Sequence, residues 1–162
     1  MSQFILIFFC LALCGFLGAL SYIDLKHFRL PNVLTATLIV IGLGQTYILG
    51  LPFSHHVIGA ALGYFSFVAI EQGFLKLRGY PGLGRGDAKL LAASGAWVGW
   101  MGLPYIVLLA SLAGLSVMFT GLLSGRIKTQ NMNKLAIPFG PFLSLATALT
   151  WFALIFWPHW TL

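Results

Sequence analysis

The chain has 162 residues, of which 59% are hydrophobic and 7% are charged, with 9 Lys and Arg against 3 Asp and Glu. Soluble domains carry about 25% charged residues, so this composition excludes a water-soluble globular domain. A disordered tail is excluded as well, because 15% of the residues are aromatic and the mean hydropathy is +0.95. We therefore expect an all-α integral membrane protein in which residues 1–162 form a single membrane-embedded domain.

Four windows contain no charged side chain: residues 1–23, 30–70, 90–125 and 135–162. A helix needs about 20 apolar residues to cross a bilayer, so each outer window holds one helix and each inner window holds two. The inner windows are divided near residues 50–52 and 99–104, where glycine and proline favour a turn. The prediction is a bundle of about six transmembrane helices.

The basic residues predict the topology of this bundle. All of them follow the first, third or fifth predicted helix. Because Lys and Arg concentrate in cytoplasmic loops, both termini and the two uncharged turns are expected on the non-cytoplasmic side. This distribution forms no basic face on a folded domain, so nucleic acid is not expected as a partner.

The acidic residues of the chain are Asp24, Glu71 and Asp87. Asp24 directly follows the first apolar segment and Asp87 directly precedes the fourth, so both are expected at the cytoplasmic membrane boundary. A carboxylate near hydrocarbon is costly and is by default a candidate for function. Two carboxyls at one depth can share a proton, so that one accepts a proton from water while the other polarises a peptide carbonyl. This is the chemistry of aspartic proteases.

Structural roles compete with this hypothesis. Asp24 could be a residue at a helix end, balanced by Lys26 and Arg29. Asp87 could be the N-cap of the fourth helix, a position that aspartate favours. Position alone does not separate these roles from catalysis.

Three other polar residues lie near the same boundary. We interpret Glu71 as an interfacial partner of Lys76 or Arg78. Lys89 either tunes the proposed carboxyl pair electrostatically or extends its ammonium to the membrane surface. His27 either modulates the carboxylate beside it or is solvated.

Three stretches carry a resemblance to a known family. They are Gly-Arg-Gly-Asp-Ala-Lys at residues 84–89, Asp-Leu-Lys-His-Phe-Arg-Leu-Pro-Asn at residues 24–32, and Ile-Pro-Phe-Gly-Pro-Phe at residues 137–142. Together they resemble the type IV prepilin peptidases, the bacterial enzymes that mature pilins and pseudopilins. The resemblance extends over nearly all of the chain after residue 15.

The resemblance implies a role for individual residues. It identifies Asp24 and Asp87 as the catalytic pair. It also implies residues that support the motifs or bind substrate, namely Gly84, Gly86, Lys89, Pro138 and Gly140.

The activity implied by the resemblance is cleavage of the leader peptide of prepilin-like or pseudopilin proteins at the cytoplasmic face of the bacterial inner membrane. The partners would be a substrate with a transmembrane helix and the lipid bilayer. Bifunctional relatives carry paired Cys-x-x-Cys motifs, which this sequence lacks, so N-methyltransferase activity is not expected. No cofactor or metal is expected either, because Cys10 and Cys14 have no nearby His to complete a metal site.

Two other functions compatible with the sequence belong to different classes. In a small ion or proton-coupled transporter, Asp24 and Asp87 would bind a cation or relay protons. The chain shows no internal repeat of the kind that transporters often contain. A non-catalytic subunit of a pilus or secretion assembly is the third hypothesis.

Overall fold

A computed structural model of the chain describes residues 3–79, 84–124 and 138–156. Within these ranges the regular elements are all helical, which confirms the expected fold class. A short 3-10 turn at Trp100–Gly102 connects the fourth and fifth helices. The six α-helices of the described ranges are α1 (Gln3–His27), α2 (Asn32–Ile48), α3 (Phe53–Arg78), α4 (Arg85–Val98), α5 (Leu103–Leu123) and α6 (Gly140–Phe156).

The helices differ in their capacity to cross a bilayer. In the part of the chain that the structure describes, three stretches are long and apolar enough to do so, Gln3–His27, Phe53–Leu77 and Trp100–Leu123. The helices α2 and α6 are apolar but have 17 residues each. The helix α4 has 14 residues and lies largely inside the bundle, where it need not cover the full thickness of the hydrocarbon.

The two predicted breaks are found where glycine permits them. Gly50, between α2 and α3, has a φ of 68°, and Gly99, at the end of α4, has a φ of 74°. This left-handed conformation is disfavoured for residues with a Cβ, and it ends a helix. Pro52 then precedes the first residue of α3.

The first helix ends later than the sequence predicted. Asp24 lies inside α1, which continues to His27. Phe28 then adopts a left-handed φ of 52° and ends the helix. Pro31, which disfavours helical conformation in the residue before it, closes the loop that leads into α2.

The fourth helix begins earlier than the sequence predicted. It starts at Arg85, so Asp87 lies in its first turn and does not precede it. Gly84 occupies the N-cap position with an extended backbone. The interpretation of Asp87 as the N-cap is therefore wrong.

The helix α4 packs closely against α3 because glycines remove the side chains between them. A Cβ on Gly95 would collide with the carbonyl oxygen of Gly59, and a Cβ on Gly63 would lie 2.6 Å from the carbonyl oxygen of Leu91. Close backbone approach through small residues is a common way for membrane helices to associate. This contact fixes the position of α4.

Trp97 fills the opposite side of α4. Its side chain is 1% exposed, and its indole nitrogen donates a hydrogen bond to the carbonyl oxygen of Leu38 over 2.9 Å. A Cβ on Gly42 would lie 2.5 Å from the indole ring, so α2 approaches it closely. The ring also packs edge-on against Trp151 of α6. α4 is thereby held against α2, α3 and α6.

Parts of the topology prediction lie outside the described residues. They are the basic residues Arg126, Lys128 and Lys134 and the aromatic end Trp157–Trp160. The side of the membrane on which each end lies therefore stays a prediction.

Candidate active site

Asp24 and Asp87 line one cavity of about 280 Å³, where α1 ends and α4 begins. The two acids come from different helices, and the fold brings them together as the sequence predicted. Glu71, the third acid of the chain, does not line this cavity. The other lining residues are Phe28, Arg29, Leu30, Gly84, Arg85, Gly86 and Lys89.

Asp24 is buried, with 6% of its surface exposed. The backbone N–H of Gly140, the first residue of α6, donates a hydrogen bond to Asp24 Oδ2 over 3.0 Å. Within the described residues, Asp24 forms no ion pair with Lys26 or Arg29. The carboxyl is thus held by the start of α6, not by basic residues of its own segment.

Asp87 is half-buried in the first turn of α4. A Cβ on Gly84 would lie 3.5 Å from Asp87 Oδ2, which is ordinary van der Waals distance. A Cβ on Gly86 would lie 3.2 to 3.4 Å from the side chain of Leu30. The second glycine of the motif therefore allows the loop between α1 and α2 to approach the first turn of α4 closely.

Lys89 also lines the cavity, and its ammonium donates a hydrogen bond to Asn32 Oδ1 over 2.6 Å. From the sequence, this lysine was expected to act electrostatically, to extend to the membrane surface or to support the motif, and Asn32 had no expected role. Asn32 is the first residue of α2, directly after Pro31. An asparagine at a helix start is expected to be a capping residue. Nothing in the sequence pairs it with a lysine 57 positions away, so the sequence contained no signal for this contact.

Glu71 forms an ion pair that differs from the predicted one. Its Oε1 accepts a hydrogen bond from Arg85 Nε over 3.3 Å. The predicted partner Lys76 lies on the same helix as Glu71, whereas the observed pair joins α3 to α4. The side chain of Arg78, the other predicted partner, lies outside the described residues. Since the Arg85 side chain is 80% exposed, the pair stabilises the fold by only about 0–1 kcal/mol.

The remaining candidates lie beside the cavity. Pro138 lies two residues before α6 and does not line the cavity, and Gly140 reaches it only through Asp24. His27 is exposed at the end of α1 and does not line it either. Among the described residues, no group of three His, Cys, Asp or Glu side chains could hold a metal ion.

The chemistry available to this arrangement is that of two carboxyls beside backbone and cationic groups. Two nearby carboxyls do not readily ionise together, so one can act as a base while the other acts as an acid. The cavity volume of about 280 Å³ is close to the lower end of the ~300–1,000 Å³ typical of ligand sites. Hydrolysis of an amide requires one group that takes a proton from water and another that gives a proton to the same substrate.

Comparisons with known proteins agree with the motifs. A model of the type IV leader peptidase family matches residues 11–119, which include Asp24, Asp87 and Lys89. A prepilin leader peptidase/N-methyltransferase of Aeromonas salmonicida (strain A449) is 42% identical over 144 residues, covering 87% of this chain and 48% of the relative. A protein of the same name from Burkholderia pseudomallei (strain 1026b) is 41% identical, covering 86% of this chain and 44% of the relative. Another from Dickeya chrysanthemi is 41% identical, covering 83% of this chain and 47% of the relative.

This chain therefore spans a little under half the length of these relatives. No solved structure matches it significantly. The three long apolar helices and the family match together identify a multi-pass membrane protein.

Proposed function

Because the chain belongs to the type IV leader peptidase family, we propose that it is a membrane aspartic endopeptidase with Asp24 and Asp87 as its catalytic pair. One observation carries the proposal: the two carboxyls, from α1 and α4, line the same cavity of about 280 Å³. The cavity is formed by the motif residues themselves, including Gly84, Gly86 and Lys89.

The proposed mechanism uses water as the nucleophile. The ionised carboxyl takes a proton from water as the oxygen bonds to the peptide carbon, and the protonated carboxyl gives its proton to the carbonyl oxygen. As the resulting tetrahedral intermediate collapses, the C–N bond breaks. The first carboxyl then protonates the leaving nitrogen, while the second regains its proton from the hydroxyl.

Gly140 serves this mechanism as a positioning residue. Its N–H holds one oxygen of the Asp24 carboxyl, and the absence of a side chain gives that oxygen room. Since α1 and α6 pack against each other, the last described helix supports a residue of the first. This support is our reason for proposing that residues 1–162 act as one membrane-embedded domain.

The proposed substrates are prepilin-like or pseudopilin proteins, cleaved at the cytoplasmic face of the bacterial inner membrane. The names of the relatives support this class of substrate. The position of the cavity supports it too, because both acids lie at one end of the bundle. A substrate helix in the bilayer beside this bundle would present the segment just outside its apolar part at the same depth as the two carboxyls.

The test is to incubate the purified chain with a prepilin-like substrate that contains a leader and an apolar segment. We expect cleavage next to the apolar segment, and we expect Asp24→Asn and Asp87→Asn each to abolish it while the protein still inserts into membranes. Glu71→Gln is the matched control, since Glu71 lies outside the cavity, and it should retain activity. Full cleavage by either aspartate variant would overturn the assignment.

The other two hypotheses predict a different result in this experiment. An ion or proton-coupled transporter and a non-catalytic assembly subunit would both leave the substrate intact. The family match does not favour the transporter. No observation in the described residues favours the assembly subunit over the peptidase.

A further inference from the structure

The two proposed catalytic residues lie on helices that are joined largely through other elements. The helix α1 packs mainly against α2 and α6, whereas α4 packs mainly against α2, α3 and α6. The distance between Asp24 and Asp87 therefore depends on the parts that connect their helices. One of these is α6, through Gly140, and another is the loop of residues 28–31 between α1 and α2.

This loop forms one wall of the cavity and is fastened to α4 at one point by packing. Phe28, Arg29 and Leu30 line the cavity, and Leu30 is 8% exposed. The Leu30 side chain fits against the backbone of Gly86, where a Cβ would lie 3.2 Å from its nearest atom. The contact is apolar and short, and it attaches the loop to α4 through Leu30 alone.

Lys89 and Asn32 form a second point of attachment two residues further along the chain, at the start of α2. The hydrogen bond of 2.6 Å joins the start of α2 to the second turn of α4. A bond from an ammonium is charge-assisted and stronger than a bond between neutral groups. Pro31, and not Asn32, occupies the N-cap position of α2, so the Asn32 carboxamide is not the N-cap of its own helix.

We propose that Lys89 is a positioning residue, which through Asn32 holds the α1–α2 loop against α4 and so keeps Asp24 and Asp87 in one cavity. This inference rests on the proposed function, since it deepens the role of that same site. It assigns the effect of Lys89 to its bond with Asn32, not to a direct action of its charge on the carboxyls. Loss of either partner should therefore have the same consequence.

The first test measures the position of the loop without using activity. In a chain with Cys10→Ala and Cys14→Ala, cysteines are placed at Leu30→Cys and Gly86→Cys. A Cβ at position 86 would lie 3.3 Å from Leu30 Cβ, close to the ~3.5–4.5 Å that disulfides require. Mild oxidation followed by thiol labelling with a large maleimide gives the rate of disulfide formation in native membranes.

The cross-linking rate should depend on both members of the bond. We expect Lys89→Met and Asn32→Ala each to lower it about 3- to 10-fold, and the double variant to lower it no further. Lys89→Arg should restore most of the rate. Lys26→Met is the control, since Lys26 lies over the Tyr22 ring outside the cavity and should have no effect.

The second test uses cleavage kinetics. Asn32→Ala keeps the lysine charge, so a positioning role predicts a kcat about 10- to 100-fold lower, with KM and the pH profile little changed. A loss of activity in Lys89→Met that is absent in Asn32→Ala would overturn the inference and show that the ammonium acts directly. Unchanged cross-linking in both variants would overturn it as well.

The two proposals fail in distinguishable ways. If the unsubstituted chain does not cleave the substrate, the proposed function is wrong, whatever the cross-linking rates are. If the chain cleaves but cross-linking is insensitive to Lys89 and Asn32, only the positioning role is wrong.

Discussion

Gly140 and Asp24 are 116 positions apart in the chain, and the N–H of one donates to the carboxyl of the other over 3.0 Å. A Cβ at position 140 would lie 2.6 Å from Asp24 Oδ2 and 3.0 Å from Asp24 Cγ. The first residue of α6 is thus both the donor that orients the carboxyl and the position at which no side chain fits.

The first prediction is that Gly140→Ala lowers cleavage strongly. Its methyl group must displace the Asp24 carboxyl, and a misplaced catalytic group can cost about 100-fold in rate. Gly114→Ala is the matched control, because a Cβ there would find its nearest atom at 3.7 Å, in ordinary contact. Cleavage rates of both variants, normalised to the amount of inserted protein, check the prediction, and equal activity would contradict it.

The second prediction concerns pH. Catalysis by a carboxyl pair needs one ionised and one protonated member, so kcat/KM should fall at low pH, where both are protonated, and at high pH, where both are ionised. The two apparent pKa values belong to the pair and not to either residue. Glu71→Gln should leave both limbs in place. A profile with a single limb would show that only one carboxyl acts.

Much of the fold could be predicted because lipid restricts the sequence. The charge-free windows and the two breaks with glycine and proline predicted six helices in the right order, since a helix in hydrocarbon requires a continuous apolar segment. The ends of α1 and α4 differ from the predicted ones. The first turn of α4 contains Gly86, and glycine is a poor helix former. In the structure this turn packs against Leu30, a contact that no local sequence pattern shows.

The candidate site was predictable only in part. Asp24 and Asp87 stood out because a carboxylate at a membrane boundary is costly and because the motifs resemble a known family. The contacts that hold them did not stand out. The bond of Lys89 to Asn32 spans 57 positions and the pair of Arg85 with Glu71 spans 14, and such partners are determined by how helices pack rather than by spacing along the chain.

The third prediction concerns the topology. In a background without native cysteines, Ser54→Cys and Trp160→Cys should react with an impermeant thiol reagent in intact cells, and Thr129→Cys should not. Ser54 lies in the first turn of α3. Its neighbour His55 lies against Gly99, which follows the last residue of α4, whereas Asp87 lies in the first turn of that helix. Labelling of Thr129→Cys with protection of Ser54→Cys would invert the topology.

The fourth prediction concerns the contact of α3 with α4. Gly95→Ala adds a methyl group that collides with Gly59, so we expect a loss of stability of about 1–3 kcal/mol. Gly44→Ala in α2 is the control, because nothing lies within 4 Å of a Cβ there. Thermal unfolding of both variants in the same detergent provides the measurement. A melting temperature for Gly95→Ala equal to that of the control would contradict close packing of the two backbones.

The fifth prediction is that the 162-residue chain cleaves its substrate without methylating the new N-terminus. The relatives are named prepilin leader peptidase/N-methyltransferase, and the chain covers 48% of the Aeromonas salmonicida protein. S-adenosylmethionine is a large polar molecule, and ligand sites for such molecules combine a concave cavity of ~300–1,000 Å³ with several convergent polar groups. Among the described residues, the polar cavity of about 280 Å³ would receive the scissile peptide, and another concavity of about 410 Å³ is lined by the apolar Ile70, Phe74 and Leu77 and by Gly73.

Mass spectrometry of the processed substrate, with S-adenosylmethionine present, measures this directly. We expect the mature N-terminus to appear without the gain of about 14 Da that one methyl group adds. The Aeromonas salmonicida relative, treated identically, is the control that shows whether the assay detects methylation. A stoichiometric gain with this chain would mean that its helices and loops form a cofactor site in addition to the cavity of Asp24 and Asp87.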